Sequence, residues 1–93
     1  MAEVLREVAL ANKYGLHARP ASQLVGAATR YKAAITLANG RGRAVNAKSI
    51  MEVLTLAAGA GAVLVVQAKG EDAEAAVAEI AGLIGSGFGE EKA

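Results

Sequence analysis

The chain has 93 residues, enough for one domain and too short for two. It is 54% hydrophobic, but alanine supplies 23 of its residues and aromatics only 3%, so a small, tightly packed α/β or helical core is expected. The lack of cysteine excludes a disulfide framework, Cys-ligated zinc, iron–sulfur clusters and a thiol nucleophile; the single histidine excludes a multi-His metal site within one chain; and the net charge of +1 makes no case for nucleic acid or an anionic membrane.

Residues 1–7 are polar at every second or third position. They carry neither the basic start nor the apolar stretch of a signal peptide, so the expected compartment is the cytoplasm. Val4, Val8 and Leu10 alternate with polar or small residues and predict a half-buried strand over 4–11. Asn12-Lys13-Tyr14-Gly15 reads as a loop. Ala21, Leu24, Val25 and Ala28 then recur at the i, i+3, i+4, i+7 spacing of an amphipathic helix, and Pro20 suits its first turn, so a helix is expected over 18–31. Ile35 and Leu37 share one face of a short strand over 33–38.

Asn39-Gly40 is a hairpin signal, because both central positions of a type I′ turn need positive φ; the return strand follows over 43–46. Ser49-x-x-Glu52 has capping-box spacing before Val53, Leu54 and Leu56, and predicts a second helix that ends in the loop 57–61. Val63 to Ala68 is a β-branched run that reads as a buried strand. Asp72 is placed to cap a last helix whose Ala73, Ala76, Val77, Ile80, Leu83 and Ile84 face inward. Gly85-Ser86-Gly87 and the charged residues after it are expected to fray, giving a loose tail over 86–93. The longest uncharged apolar run, Val53 to Val66, is too short and too interrupted by Gly59 and Gly61 to span a bilayer.

The order βαββαβα has one economical solution. It is an α+β open-faced two-layer sandwich: a four-stranded, mostly antiparallel sheet with three helices on one face, filling residues 1–93 as a single domain.

The only histidine, His17, directly precedes the first helix, beside the free N–H groups and positive end of that helix. Such a place binds anions, and Arg19, two residues on, adds a planar donor fork suited to phosphate. A ring nitrogen could then accept a phosphoryl group whose oxygens rest on the backbone donors of Ala18, Arg19 and Ala21. The plainer alternative is that His17 and Arg19 are solvated residues at a helix start. Ser22 and Ser49 could be hydrolytic nucleophiles, but no Gly-x-Ser-x-Gly elbow or triad order surrounds them. Ser49 reads first as a helix cap; the same position also suits a phosphoserine, with Glu52 as an opposing like charge. Arg41 and Arg43 around Gly42 read as solubilising charges.

Gly15-Leu16-His17-Ala18-Arg19-Pro20-Ala21 closely resembles the active-site signature of the HPr family, the histidine phosphocarriers of the phosphoenolpyruvate-dependent phosphotransferase system. Asn46-Ala47-Lys48-Ser49-Ile50-Met51 resembles that family's regulatory-serine signature. Glu52 departs from it, since glycine or lysine often follows the Ile-Met pair. The resemblance covers nearly the whole chain and extends to length and element order. It implies that His17 carries a phosphoryl group on Nδ1, taken from phosphorylated enzyme I and passed to a histidine of a IIA-type domain. Arg19 would assist the transfer, and Ser49 would be the target of an HPr kinase/phosphorylase. Leu16, Gln23, Ile50, Met51 and Leu54 would form the partner surface. The implied protein is a monomeric cytoplasmic carrier without cofactor, metal, nucleic acid or membrane insertion. It would be a substrate of enzyme I rather than an enzyme with its own turnover, serving sugar transport. The ending Gly87-Phe88-Gly89-Glu90-Glu91 also resembles NPr, the carrier of the nitrogen-related branch, so an NPr-like or Ser49-controlled regulatory role stands as the alternative.

Overall fold

The computed structural model describes residues 2–93. In chain order it comprises β1 (Glu3–Ala9), α1 (Ala18–Ala28), β2 (Ala34–Ala38), β3 (Ala44–Asn46), α2 (Ile50–Thr55), β4 (Val63–Lys69) and α3 (Ala73–Ser86), followed by a 3-10 turn at Gly87–Gly89. The sheet order is β1-β4-β2-β3 and every neighbouring pair is antiparallel. The expected open-faced α+β sandwich is therefore present. α3 packs on β1 and β4, α2 packs on β3, and α1 lies against α2 and α3.

Period-two alternation explains which face is covered. Leu64, Val66 and Ala68 of β4, Ile35 and Leu37 of β2 and Val45 of β3 are buried with Leu24, Val53, Ile80 and Ile84 of the helices. The other row of β4 is only partly covered, and Val63 is exposed, so this strand alternates rather than being buried throughout as its β-branched run suggested. A β-branched run suits a strand with one solvated face as well as one with none.

Four local details differ from expectation. α1 stops at Ala28, where the Thr29 hydroxyl donates to the carbonyl of Gly26; its buried stripe takes in Ala27, while Val25 lies at the margin. The hairpin forms, but positive φ falls at Gly42 (φ +80°) and not at Asn39 or Gly40. Asn39 Oδ1 instead accepts from the N–H groups of Arg41 and Arg43, which lengthens the loop and moves the left-handed residue to its end. Asp72 stands at the N-cap of α3 but does not cap it. Its carboxylate accepts from the N–H groups of Lys32 and Ala33, both at 2.8 Å, and so ties the start of α3 to the lead-in of β2. In α3, Ala81 is buried while Leu83 sits at the margin.

The tail is not frayed. α3 continues through Ser86, Phe88 is only 5% exposed, and Asn12 pairs with Lys92 as an antiparallel bridge. The Lys13 N–H donates to the Glu91 carbonyl and the Ala93 N–H to the Ala11 carbonyl. The glycines around Phe88 signal a chain break locally, but a single buried aromatic ring outweighs them by carrying the segment back over residues 10–17.

Candidate functional site

The site begins with the loop between β1 and α1. Gly15 has φ +68°, and a Cβ there would lie 2.2 Å from the carbonyl oxygen of Ala58. Only glycine lets the loop sit this close to the segment after α2. The contact is completed by the Leu16 N–H, which donates to that same carbonyl. Leu16 is therefore a core residue at 4% exposure, not part of a partner surface. Its burial anchors the next residue, His17, at the N-cap of α1 in extended backbone (φ −78°, ψ −174°).

The His17 ring is exposed and makes no capping bond to its own helix. Its Nε2 bonds the carboxylate of Glu90 at 2.9 Å, while Nδ1 has no hydrogen-bond partner among the described residues. Tyr14 meets the ring edge-on at 6.5 Å between centroids. Glu90 Oε1 accepts a second bond, from Asn12 Nδ2 at 3.0 Å, and the other Asn12 amide hydrogen goes to the Gly15 carbonyl at 2.8 Å. The hydrogen bond from His17, with a further bond from Asn12 and the nearby charge of Arg19, holds the Glu90 carboxyl below the usual glutamate range. The contact is the more buried on its carboxylate side, since the Glu90 side chain is 16% exposed and that of His17 43%.

Arg19 is exposed on the first turn of α1. The backbone cradle is smaller than expected. The Ala21 N–H donates to the His17 carbonyl at 3.0 Å as the first bond of the helix, which leaves the N–H groups of Ala18 and Arg19 as the donors without a partner among the described residues. The site thus offers a ring nitrogen beside two free backbone donors and a guanidinium, a set that attracts an anion.

Ser49 caps α2 as expected, its Oγ accepting from the Glu52 N–H at 3.3 Å. The reciprocal half of the box is redirected: Glu52 Oε1 accepts from the Asn46 N–H, not from Ser49. Ile50 and Met51 are exposed on α2, Met51 at 73%, while Leu54 and Gln23 are half-buried. Sequence reasoning missed Asn12 and Glu90. The only signal for either was a polar residue three positions before a loop glycine and an acidic residue after Gly87-Phe88-Gly89, neither of which names a partner. Among the described residues no helix is long and apolar enough to cross a membrane.

Comparison with known proteins agrees with this arrangement. The family model described as "PTS HPr component phosphorylation site" matches residues 4–86. The chain is similar to the phosphocarrier protein HPr of Treponema pallidum (strain Nichols), 43% identical over 88 residues that cover 95% of this chain and 99% of that one. It is also similar to the phosphocarrier protein NPr of Shewanella violacea, 38% identical over 90 residues covering 97% of this chain and 98% of that one. Among solved structures, that of HPr-C-His from Thermoanaerobacter tengcongensis superposes with a TM-score of 0.86 at 41% identity, over 98% of this chain and 99% of that one. With sequence match, sheet order and helix placement in agreement over almost the full length, the chain belongs to the HPr family and is a phosphocarrier of the phosphotransferase system.

Proposed function

We propose that His17 is the residue that carries the phosphoryl group, on Nδ1. The observation that carries this reading is the placement of His17 at the N-cap of an 11-residue helix, its Nδ1 unbonded among the described residues and next to the free N–H groups of Ala18 and Arg19. The Nδ1 lone pair attacks phosphorus on the phosphohistidine of an enzyme I partner. The new N–P bond forms as the donor's N–P bond breaks, and that electron pair returns to the donor ring. The reverse exchange passes the group to a histidine of a IIA-type domain. Positioning and charge neutralisation are all the protein must supply, which suits a small chain without a deep pocket. Arg19 and the two backbone donors hold the phosphate oxygens.

The partner face comprises Ile50 and Met51 with the half-buried Leu54 and Gln23; Leu16, being in the core, is not part of it. Ser49 is the regulatory phosphorylation site for an HPr kinase/phosphorylase, at the cap of a helix whose first turn also holds Glu52. The chain works as a monomer in the cytoplasm, a substrate of enzyme I without turnover of its own. It serves sugar uptake; the NPr relative and the Gly87–Glu91 ending support the nitrogen-related branch as the second reading.

With enzyme I and labelled phosphoenolpyruvate, His17→Ala is expected to fold and to take no label, and Arg19→Ala to take and donate it more slowly. Label retained on His17→Ala overturns the assignment of His17, and wild-type rates in both directions for Arg19→Ala overturn that of Arg19. Transfer to a sugar-specific and a nitrogen-related IIA domain, compared side by side, separates the two branches.

A further inference from the structure

We infer that Glu90, held in place by Asn12, reserves Nε2 of His17 as an N–H and so directs phosphoryl transfer to Nδ1. The inference rests on the reading of His17 as the phosphoryl acceptor.

An ionised carboxylate only accepts hydrogen bonds, so the 2.9 Å contact between Glu90 Oε1 and Nε2 requires the proton on Nε2. In the neutral ring the lone pair is then on Nδ1, the nitrogen facing away from the carboxylate. The ring nitrogen that is bonded decides which one reacts.

Asn12 is what makes this arrangement specific. It is wholly buried, and both of its amide hydrogens are committed, one to Glu90 Oε1 and one to the Gly15 carbonyl. Turning the amide over would set its oxygen against a carboxylate and a carbonyl at once, so the two acceptors fix its orientation. Its Oδ1 is buried without a partner among the described residues. An aspartate here would place a second carboxylate against Glu90. A buried amide with one unpaired end, aimed by its other end at the residue that touches the histidine, is a polar group kept for position.

The tail supplies the remaining constraint. Phe88 is buried, the Glu90 N–H donates to the Gly87 carbonyl at 2.9 Å, and Lys13 and Asn12 pair with residues 91 and 92. Glu90 is therefore presented from a fixed backbone and not from a free end.

The chemistry balances on the ring. As the Nδ1 lone pair forms the N–P bond and the donor's bond to phosphorus breaks toward the donor, the ring gains positive charge; the proton remains on Nε2, still donated to the carboxylate, whose charge offsets that of the ring. When the group leaves, the N–P electron pair returns to Nδ1. The Nε2 proton moves in neither direction. Asn12 and Glu90 are thus positioning residues, acting through His17.

The test uses the full chain labelled with ¹⁵N in its single histidine and phosphoramidate as a small phosphoryl donor, whose P–N electron pair leaves with ammonia. Nitrogen spectra give the tautomer of the free ring, and combined ³¹P and ¹⁵N spectra give the phosphorylated nitrogen. The expected wild-type result is the Nε2–H tautomer and phosphate on Nδ1 alone. In Glu90→Ala the tautomers mix and an Nε2-phosphate signal appears. Glu90→Gln, which keeps an accepting oxygen without the charge, restores Nδ1 selectivity. Asn12→Leu, which fills the same space without the amide, shifts toward the alanine result. A folded Glu90→Ala with unchanged tautomer and phosphate only on Nδ1 overturns the inference. If the wild type takes no phosphate on His17, the carrier assignment of that residue fails, and the tautomer comparison alone decides the role of Glu90.

Discussion

Gly15 has the least freedom to vary of any residue in the active loop. Its φ of +68° puts an L side chain in the left-handed region, and its missing Cβ leaves room for the Ala58 carbonyl. Gly15→Ala combines backbone strain with a clash against backbone that has no side chain to move aside. The expected loss of stability is about 2 kcal/mol or more, read as a lower urea midpoint. Phosphoryl acceptance should fall as well, because Leu16 and His17 are hung from this contact. Unchanged stability would mean that the loop can lift from the 57–61 segment without cost.

Between elements, several side chains make polar ties outside the core. Tyr31 and Arg30, just past α1, bond the Glu79 carboxylate of α3, and the hydrogen bond from Tyr31 is the main cause of that carboxyl lying below the usual range. Lys48 donates to the Tyr31 carbonyl from the turn before α2. Asp72 joins α3 to β2 through the N–H groups of Lys32 and Ala33. The bond from Lys32 is the largest cause of its carboxyl being held below the ordinary aspartate value. Because the folded-state value is the lowered one, the stability this group supplies is fully present above the unfolded value and is lost as pH falls through the folded one. Asp72→Asn should therefore melt below the wild type near neutral pH, with the gap closing in acid. A gap that is constant with pH would place the effect in packing instead of charge.

At the scale of the whole molecule, one hydrophobic cluster joins β2, β3, β4 and all three helices, with Val4 and Val8 of β1 packed against it and Phe88 of the tail part of it. Phe88 holds a left-handed φ of +58° that a bulky residue normally avoids, so its packing outweighs the backbone strain. Phe88→Ala keeps the strain and removes the anchor. The expected cost is about 3 kcal/mol, seen as a lower melting temperature. Loss of the Glu90 bond to His17 should accompany it, seen in the ring nitrogen shifts. A variant that keeps the bond would show that the 11–13 and 91–93 pairing suffices alone.

The amino-acid sequence by itself determined the element order, the placement of His17 just before a helix and of Arg19 on its first turn, and Ser49 as a cap. Each depends on a local signal: a hydrophobic period, a proline in a first turn, a serine three residues before a glutamate. The exclusions drawn from one histidine and no cysteine are equally local. What only the tertiary structure decided lies across the chain. Glu90 reaches His17 over 73 positions, Asp72 bonds a segment 39 and 40 positions earlier in place of its own helix, and Leu16 is drawn into the core. No period or cap spacing encodes those contacts, because a carboxylate bonds whichever donors the packed layers bring to it. Even the Ala21 N–H was lost to the cradle by the register of the helix start, a matter of one residue. The abundance of alanine led to the expectation of a small, tightly packed core, and Ala21, Ala28, Ala68, Ala73 and Ala76 are all buried in it.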